Sequence, residues 1–271
     1  MRRILFVIFI VNFSIIGLEA QKGWELGAWL GTSFYYGDLN TTTSIRKPGL
    51  ALGIMGRYNF NTRITATGSI NFGNIAGADS LSSNNFERNR NLSFKSRIYD
   101  VTGQLEFHFF EYDHWSKDYH WTPYTFIGFN FVKFNPRAEL NGETYYLNPL
   151  GTEGQDAGNE YHLVSGGLVL GGGFKWDINR DWSVNIFFST HRLLTDYLDD
   201  VSTTFAENQK ILITRGPVAA QLADRSLIDG LGAEGKQRGN ANDKDSYNFV
   251  GISIMKYFGD IDCPKISEPH F

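Results

Sequence analysis

The chain has 271 residues, a net formal charge of -4 and no surplus of basic residues, so it lacks the cationic footprint that nucleic-acid binders carry. The single cysteine, Cys263, excludes an intrachain disulfide. With 29 glycines, 22 phenylalanines and 13 tyrosines against 3 methionines, the composition favours tightly packed strands with aromatic borders over a helical protein.

The chain opens with a processing signal. Arg2 and Arg3 give a basic start, Ile4 to Ile16 is almost wholly apolar, and Ala20 offers a small residue for cleavage, so residues 1–20 read as a signal peptide. No later stretch approaches the roughly 18 consecutive apolar residues of a membrane helix, so any membrane crossing must be made by strands.

Period-two alternation then recurs in about eight segments of about ten residues each. From Trp24 to Tyr36 one face carries Trp24, Leu26, Ala28, Leu30, Phe34 and Tyr36, and the other Glu25, Gly27, Trp29, Gly31, Ser33 and Tyr35. Leu50–Phe60 repeats the pattern with Arg57 on its polar face, and Ile64–Phe72 follows after a short turn. Tyr99–Phe109 has the most polar inner face, with Asp100, Glu106 and His108. Tyr124–Phe134, Leu163–Trp176, Trp182–Leu193 and Tyr247–Phe258 complete the set.

Connections alternate in length. Short turns follow Phe60 and Trp176, a medium one follows Phe110, and long polar loops occupy 37–47, 75–95, 136–160 and 195–246. Trp24, Trp115, Trp121, Trp176 and Trp182 gather at the short-turn ends, whereas Tyr36, Tyr99, Phe134, Tyr197 and Tyr247 gather at the other. Two aromatic girdles with brief turns on one side and extended loops on the other predict an all-β fold: a closed antiparallel transmembrane β-barrel of about eight strands, with periplasmic turns and external loops. Closure is required because an open sheet edge in lipid leaves backbone groups unpaired. A soluble β-sandwich or lipocalin-like barrel with its apolar face inward is the alternative. The expected organisation is a signal peptide over 1–20, the barrel over 21–258 and a periplasmic tail over 259–271.

A barrel of about eight strands is nearly filled by side chains, which argues against free diffusion of solutes through it. Arg57, Arg63, Asp100, Glu106, His108 and Lys175 are expected to point inward as a paired polar network. Candidate chemistry is sparse. Ser189, His191 and Asn185 share one inner strand face and superficially supply a hydrolase set. His114, His120, Asp113 and Asp118 crowd the medium turn as conceivable metal ligands, and Asp196, Asp199 and Asp200 could hold calcium in an external loop. Gly171 to Gly173 sit mid-strand with no following helix or P-loop lysine, so they read as close packing instead of a phosphate cradle. Val218–Leu231 is a possible short amphipathic helix in the longest loop. No catalytic role, metal or cofactor is assigned.

Ordered motifs at the expected loop positions add a resemblance. They include Tyr36-Gly37-Asp38-Leu39, Arg90-Asn91-Leu92-Ser93-Phe94, Thr122-Pro123-Tyr124, Phe134-Asn135-Pro136, Pro149-Leu150-Gly151-Thr152-Glu153-Gly154-Gln155, Thr195-Asp196-Tyr197-Leu198-Asp199-Asp200-Val201-Ser202, Gln237-Arg238-Gly239-Asn240 and Cys263-Pro264. Together they resemble the PorG family of outer-membrane barrels of the type IX secretion system, within a wider set of barrels of unknown activity. Nothing in 206–236 matches. The resemblance implies a non-catalytic outer-membrane component that contacts a periplasmic ring of the PorK lipoprotein and PorN, without identifying the contacting residues. If the termini face the periplasm, the turn and tail residues Asp113, His114, Trp115, Trp121 and Cys263 are the expected partner contacts, and Cys263 could form a mixed disulfide. A stand-alone channel and, behind it, a barrel hydrolase using Ser189 and His191 are the rivals.

Overall fold

The alternating segments become strands because each places apolar side chains on one face and polar ones on the other, and only a closed sheet can bury the polar face. A computed structural model describes residues 23–42, 45–114 and 116–259. The expected signal peptide, Trp115, and the tail beyond Gly259 with Cys263 lie outside the described residues.

Eight strands form the wall: β1 (Gly23–Tyr36), β2 (Gly49–Asn59), β3 (Ile64–Ala78), β4 (Ser93–His108), β5 (Trp121–Lys133), β8 (Val164–Asp177), β9 (Trp182–Leu193) and β10 (Ser246–Gly259). Each pairs antiparallel with its sequence neighbour in the wall, and β1 closes the barrel against β10 from Gly23↔Gly259 to Tyr36↔Ser246. A hairpin of β6 (Arg137–Leu140) and β7 (Glu143–Tyr146) lies in the loop between β5 and β8. Among the described residues three α-helices, α1 (Asn85–Arg90), α2 (Asn208–Arg215) and α3 (Pro217–Ala223), occur in long loops.

The faces point as the alternation requires. Leu30 (60% exposed), Ile54, Ile70, Phe129 (70%) and Ile252 project outward, whereas their neighbours Trp29, Met55 and Phe126 are buried inside. A soluble barrel would invert this order, so the apolar exterior excludes the lipocalin-like alternative. Ten residue steps from Tyr99 to Phe109, both exposed on the outer face, at about 3.3 Å each and tilted by about 40°, give an apolar band on the order of 25 Å tall, the height of a bilayer core.

Two local expectations are corrected. The loop placed at 75–95 is shorter, because β3 and β4 remain paired up to Ala78↔Ser93, above the apolar band. Their upper inward residues Ile75, Phe94 and Ile98 are buried there under the loops, which sustains the pairing beyond the membrane. The helix expected at Val218–Leu231 starts with Pro217 at its first position and ends at Ala223. Asp224 then turns extended and its side chain accepts a bond from Ser226 N at 2.9 Å, a local alternative to helical pairing. Trp29, the sixth tryptophan, belongs to neither girdle; it lies in the lumen and donates from Nε1 to Asn71 Oδ1 at 2.8 Å.

Candidate functional site

The lower lumen is organised around Glu106 on β4. Lys175 from β8 donates to its Oε2 at 2.8 Å, Arg57 from β2 lies 3.3 Å from Oε1, and Thr67 donates to Oε1 at 2.6 Å. Arg57 also faces Glu25 at 3.6 Å and donates to Asn185 at 3.0 Å. Two cations thus meet two carboxylates with all four side chains buried, so the charge closes to zero where an unpaired ion would be costly. Lys175 also reaches His108 Nε2 at 2.9 Å; because the ammonium can only donate, that nitrogen accepts and Nδ1 carries the hydrogen toward Thr62 O at 3.3 Å. Higher up, Asp100 accepts from Tyr247 and Asn130 at Oδ2 (2.7 and 2.6 Å) and from Asn71 and Thr102 at Oδ1 (2.6 and 2.7 Å).

Five of the six residues expected in this network, Arg57, Asp100, Glu106, His108 and Lys175, face the lumen. Arg63 does not: it is half-exposed at the short-turn end beside Glu111 at 3.5 Å, since it lies in the turn after β2, where alternation no longer fixes direction. A cavity in the lumen, lined by Trp29, Arg57, Tyr124 and Phe187 among others, is about 30 Å³. Glycines help fill it. A Cβ on Gly171 would come within 2.3 Å of the Phe126 ring and one on Gly173 within 2.8 Å of the Tyr124 hydroxyl, so these positions make room for inward aromatic rings.

The medium turn closes the lower mouth. Tyr112 donates to Asp177, and its backbone N–H donates to Thr62 O at 3.1 Å. His114 stacks on Tyr257 at 4.2 Å, with its two ring nitrogens 3.4 Å from Glu25 and 3.0 Å from Asp177. Burial disfavours its charge, but the hydrogen bonds it donates to Asp177 and Glu25 and their negative charges outweigh that and raise its pKa to about 9. Of the expected partner contacts, His114 is therefore turned into the barrel, Asp113 is half-buried, and Trp121 is exposed in the girdle, stacked on Phe174 at 5.4 Å. Among the described residues no group of three or more His, Cys, Asp or Glu is arranged to hold a metal ion, in this turn or near Asp196, Asp199 and Asp200.

At the opposite end the four long loops form one folded cap, which the sequence did not reveal as a unit. Two buried arginines tie them together. Arg90 of α1 grips Asp79 through Nε and Nη2, both at 2.8 Å, and reaches the carbonyls of Asp38 and Arg238. Arg238 pairs with Glu153 at 3.1 Å and donates to Asp200 O at 2.5 Å. Ile211, Ala219, Ala220 and Ala223 give the cap an apolar cluster of its own. Beneath it the Tyr35 hydroxyl lies 2.5 Å from Asp199 Oδ2 and 3.0 Å from Asp245 Oδ1. One phenolic hydrogen cannot serve two carboxylates, so the arrangement is satisfied when one carboxyl carries a proton. Burial and their neighbouring carboxylates push Asp199 and Asp245 well above the usual range; burial chiefly raises Asp196 to about 7, and Asp38 and Asp200 to about 6.

Ser189 and His191 do meet, Oγ to Nε2 at 3.1 Å, and the third group is Asp100, 3.5 Å from His191 Nδ1; Asn185 instead binds Arg57 and Ser253. The order is that of a hydrolase triad, but the adjoining 30 Å³ space has room for a water molecule and not for a substrate.

An eight-stranded closed antiparallel barrel with a lipid-matched exterior and a filled polar lumen is a small β-barrel of the outer-membrane type. A family model described as Domain of unknown function (DUF6089) matches residues 2–150, more than half of the chain, and the protein belongs to that family. Similar solved structures include Neisserial surface protein A (9% identity, TM-score 0.41, covering 89% of this chain and 100% of that one). Ail of Yersinia pestis (10%, TM-score 0.40, 89% and 100%) and OprG from Pseudomonas aeruginosa (10%, TM-score 0.40, 89% and 98%) are others. No curated protein matches the chain.

Proposed function

We propose that the protein is a non-catalytic outer-membrane component of a protein secretion machine of type IX, working through its two ends and not through its lumen. The observation that supports the non-conducting part of this reading is the interior: paired charges and rings surround a cavity of about 30 Å³, and the medium turn packs into the lower mouth. A barrel with no passage can anchor, orient or assemble other proteins. The ordered loop motifs support placing it in the secretion system, with a periplasmic ring of PorK and PorN as the partner. Asp113, Trp115, Trp121 and the tail around Cys263 are the surfaces proposed for that contact; His114 would support them from behind. The test is a mild-detergent pull-down of the tagged protein from outer membranes. Co-purification of PorK and PorN is expected, and it should fall when 111–121 is replaced by a minimal turn and the tail is removed. A heat-modifiable, folded barrel recovered without either ring protein overturns the secretion reading.

A further inference from the structure

Outside the lumen, a polar cleft lies between the underside of the cap and the outer wall of β1, β10 and β9, with a volume of about 750 Å³. Its wall is the outward row Tyr36, Ser246 and Arg192, which cross-strand register places side by side at the loop end of the apolar band. One row below, Phe34 and Asn248 also point outward, yet they are 2% and 1% exposed, so the loops overhang this flank. The Asn248 amide nitrogen there has no hydrogen-bond partner, while its oxygen accepts from Thr190, which itself lines the cleft.

Three cations, Arg90, Arg192 and Lys244, and three carboxyls, Asp38, Glu87 and Asp243, line the cleft; Arg90 is buried on Asp79, Asp38 accepts from Asn240 N and Glu87 from Thr41, so Arg192, Lys244 and Asp243 are its exposed charges. Arg192 and Lys244 put two exposed cations at the cleft, and Arg192 makes no ion pair among the described residues. Asn84 and Asn240 offer amides, and Tyr36 and Phe86 offer half-exposed rings. Cations suit a phosphate, paired amide donors and acceptors suit vicinal hydroxyls, and an aromatic face suits the C–H face of a pyranose. The volume lies within the range of small-ligand sites. The position at the edge of the apolar band puts the cleft where the head group of an outer-leaflet lipid begins.

We infer that this cleft binds the phosphorylated saccharide head of an outer-leaflet glycolipid, with Arg192 and Lys244 on the phosphate and Tyr36, Phe86, Asn84 and Asn240 on the sugar. The choice of a lipid source rests on the outer-membrane reading above; the saccharide-phosphate chemistry does not. Binding of the full folded chain in neutral detergent micelles to diphosphoryl lipid A, followed by native mass spectrometry, tests it without depending on where the protein resides. The Arg192→Glu/Lys244→Glu double variant should bind at least tenfold more weakly. Lys133→Glu, an equal charge change per site on the opposite flank, should bind as the wild type does, and the deacylated disaccharide bisphosphate should displace the lipid. Equal weakening by Lys133→Glu, no weakening by the double variant, or displacement by inorganic phosphate as effective as by the disaccharide overturns the proposal. Membrane fractionation judges the outer-membrane reading separately: a protein absent from that membrane fails the reading, while the binding result still decides the cleft.

Discussion

At the scale of single residues, Glu106 and His114 show how a few charges fix the interior. Glu106 is the shared acceptor of Arg57 and Lys175, so Glu106→Leu leaves two buried cations short of their partner. Breaking such a pair costs about 3–5 kcal/mol. The urea midpoint for unfolding in lipid vesicles should fall accordingly, while Glu111→Leu, whose partner Arg63 is half-exposed, should shift it little. His114 titrates in the other direction. Its folded pKa of about 9 exceeds the ordinary 6.5, so its contribution is complete below about pH 6.5 and is lost as pH rises through 9. Amide exchange in residues 109–120 should therefore accelerate between pH 7 and 10, after correction for the intrinsic pH dependence, and His114→Ala should remove that step. An unchanged profile in the variant would show that His114 does not hold the plug.

At the scale of elements, the cap behaves as a unit whose parts are joined by buried carboxyls. Asp38, Asp196 and Asp200 have folded pKa values of about 6, 7 and 6, above the ordinary 3.8, so the cap takes up protons on folding. Its stability is complete below about pH 4 and declines as pH rises through 6 to 7. Limited proteolysis of the loops at pH 5 and pH 8, normalised to an unstructured substrate, should cleave the cap faster at pH 8. Asp245→Asn should narrow the difference. An amide there can accept from Leu198 N, as Asp245 Oδ2 does at 2.9 Å, and donate to the Tyr35 hydroxyl oxygen, reproducing the protonated acid without a charge. Greater protease sensitivity of that variant at pH 8 would count against a shared proton.

At the scale of the molecule, the medium turn below, a charge-paired lumen and a cap above support the non-conducting reading proposed above. Planar-bilayer recordings of the refolded protein should show no steady conductance at neutral pH, and a reproducible open level would restore the channel reading. The contacts at the two ends of the barrel are long-range in sequence: His114 meets Glu25 and Asp177, Tyr35 meets Asp199 and Asp245, and Arg90 meets Arg238.

The sequence by itself determined the eight strands, their faces and the alternation of short and long connections, because a strand's side-chain period is local and a bilayer demands an apolar exterior over its whole height. It also placed Arg57, Asp100, Glu106, His108 and Lys175 inside, since each continues the parity of its strand. Arg63 and His114 lie in turns where parity lapses, and only the tertiary structure decided that one faces solvent and the other enters the mouth. The cap and the cleft beneath it were likewise decided by the fold. Asp199 and Asp200 read locally as a solvated or cation-binding loop edge, and only packing brought Tyr35, Thr152, Asp245 and Arg238 around them. A loop's hydrogen-bond partners lie on other loops, at separations that no local pattern encodes.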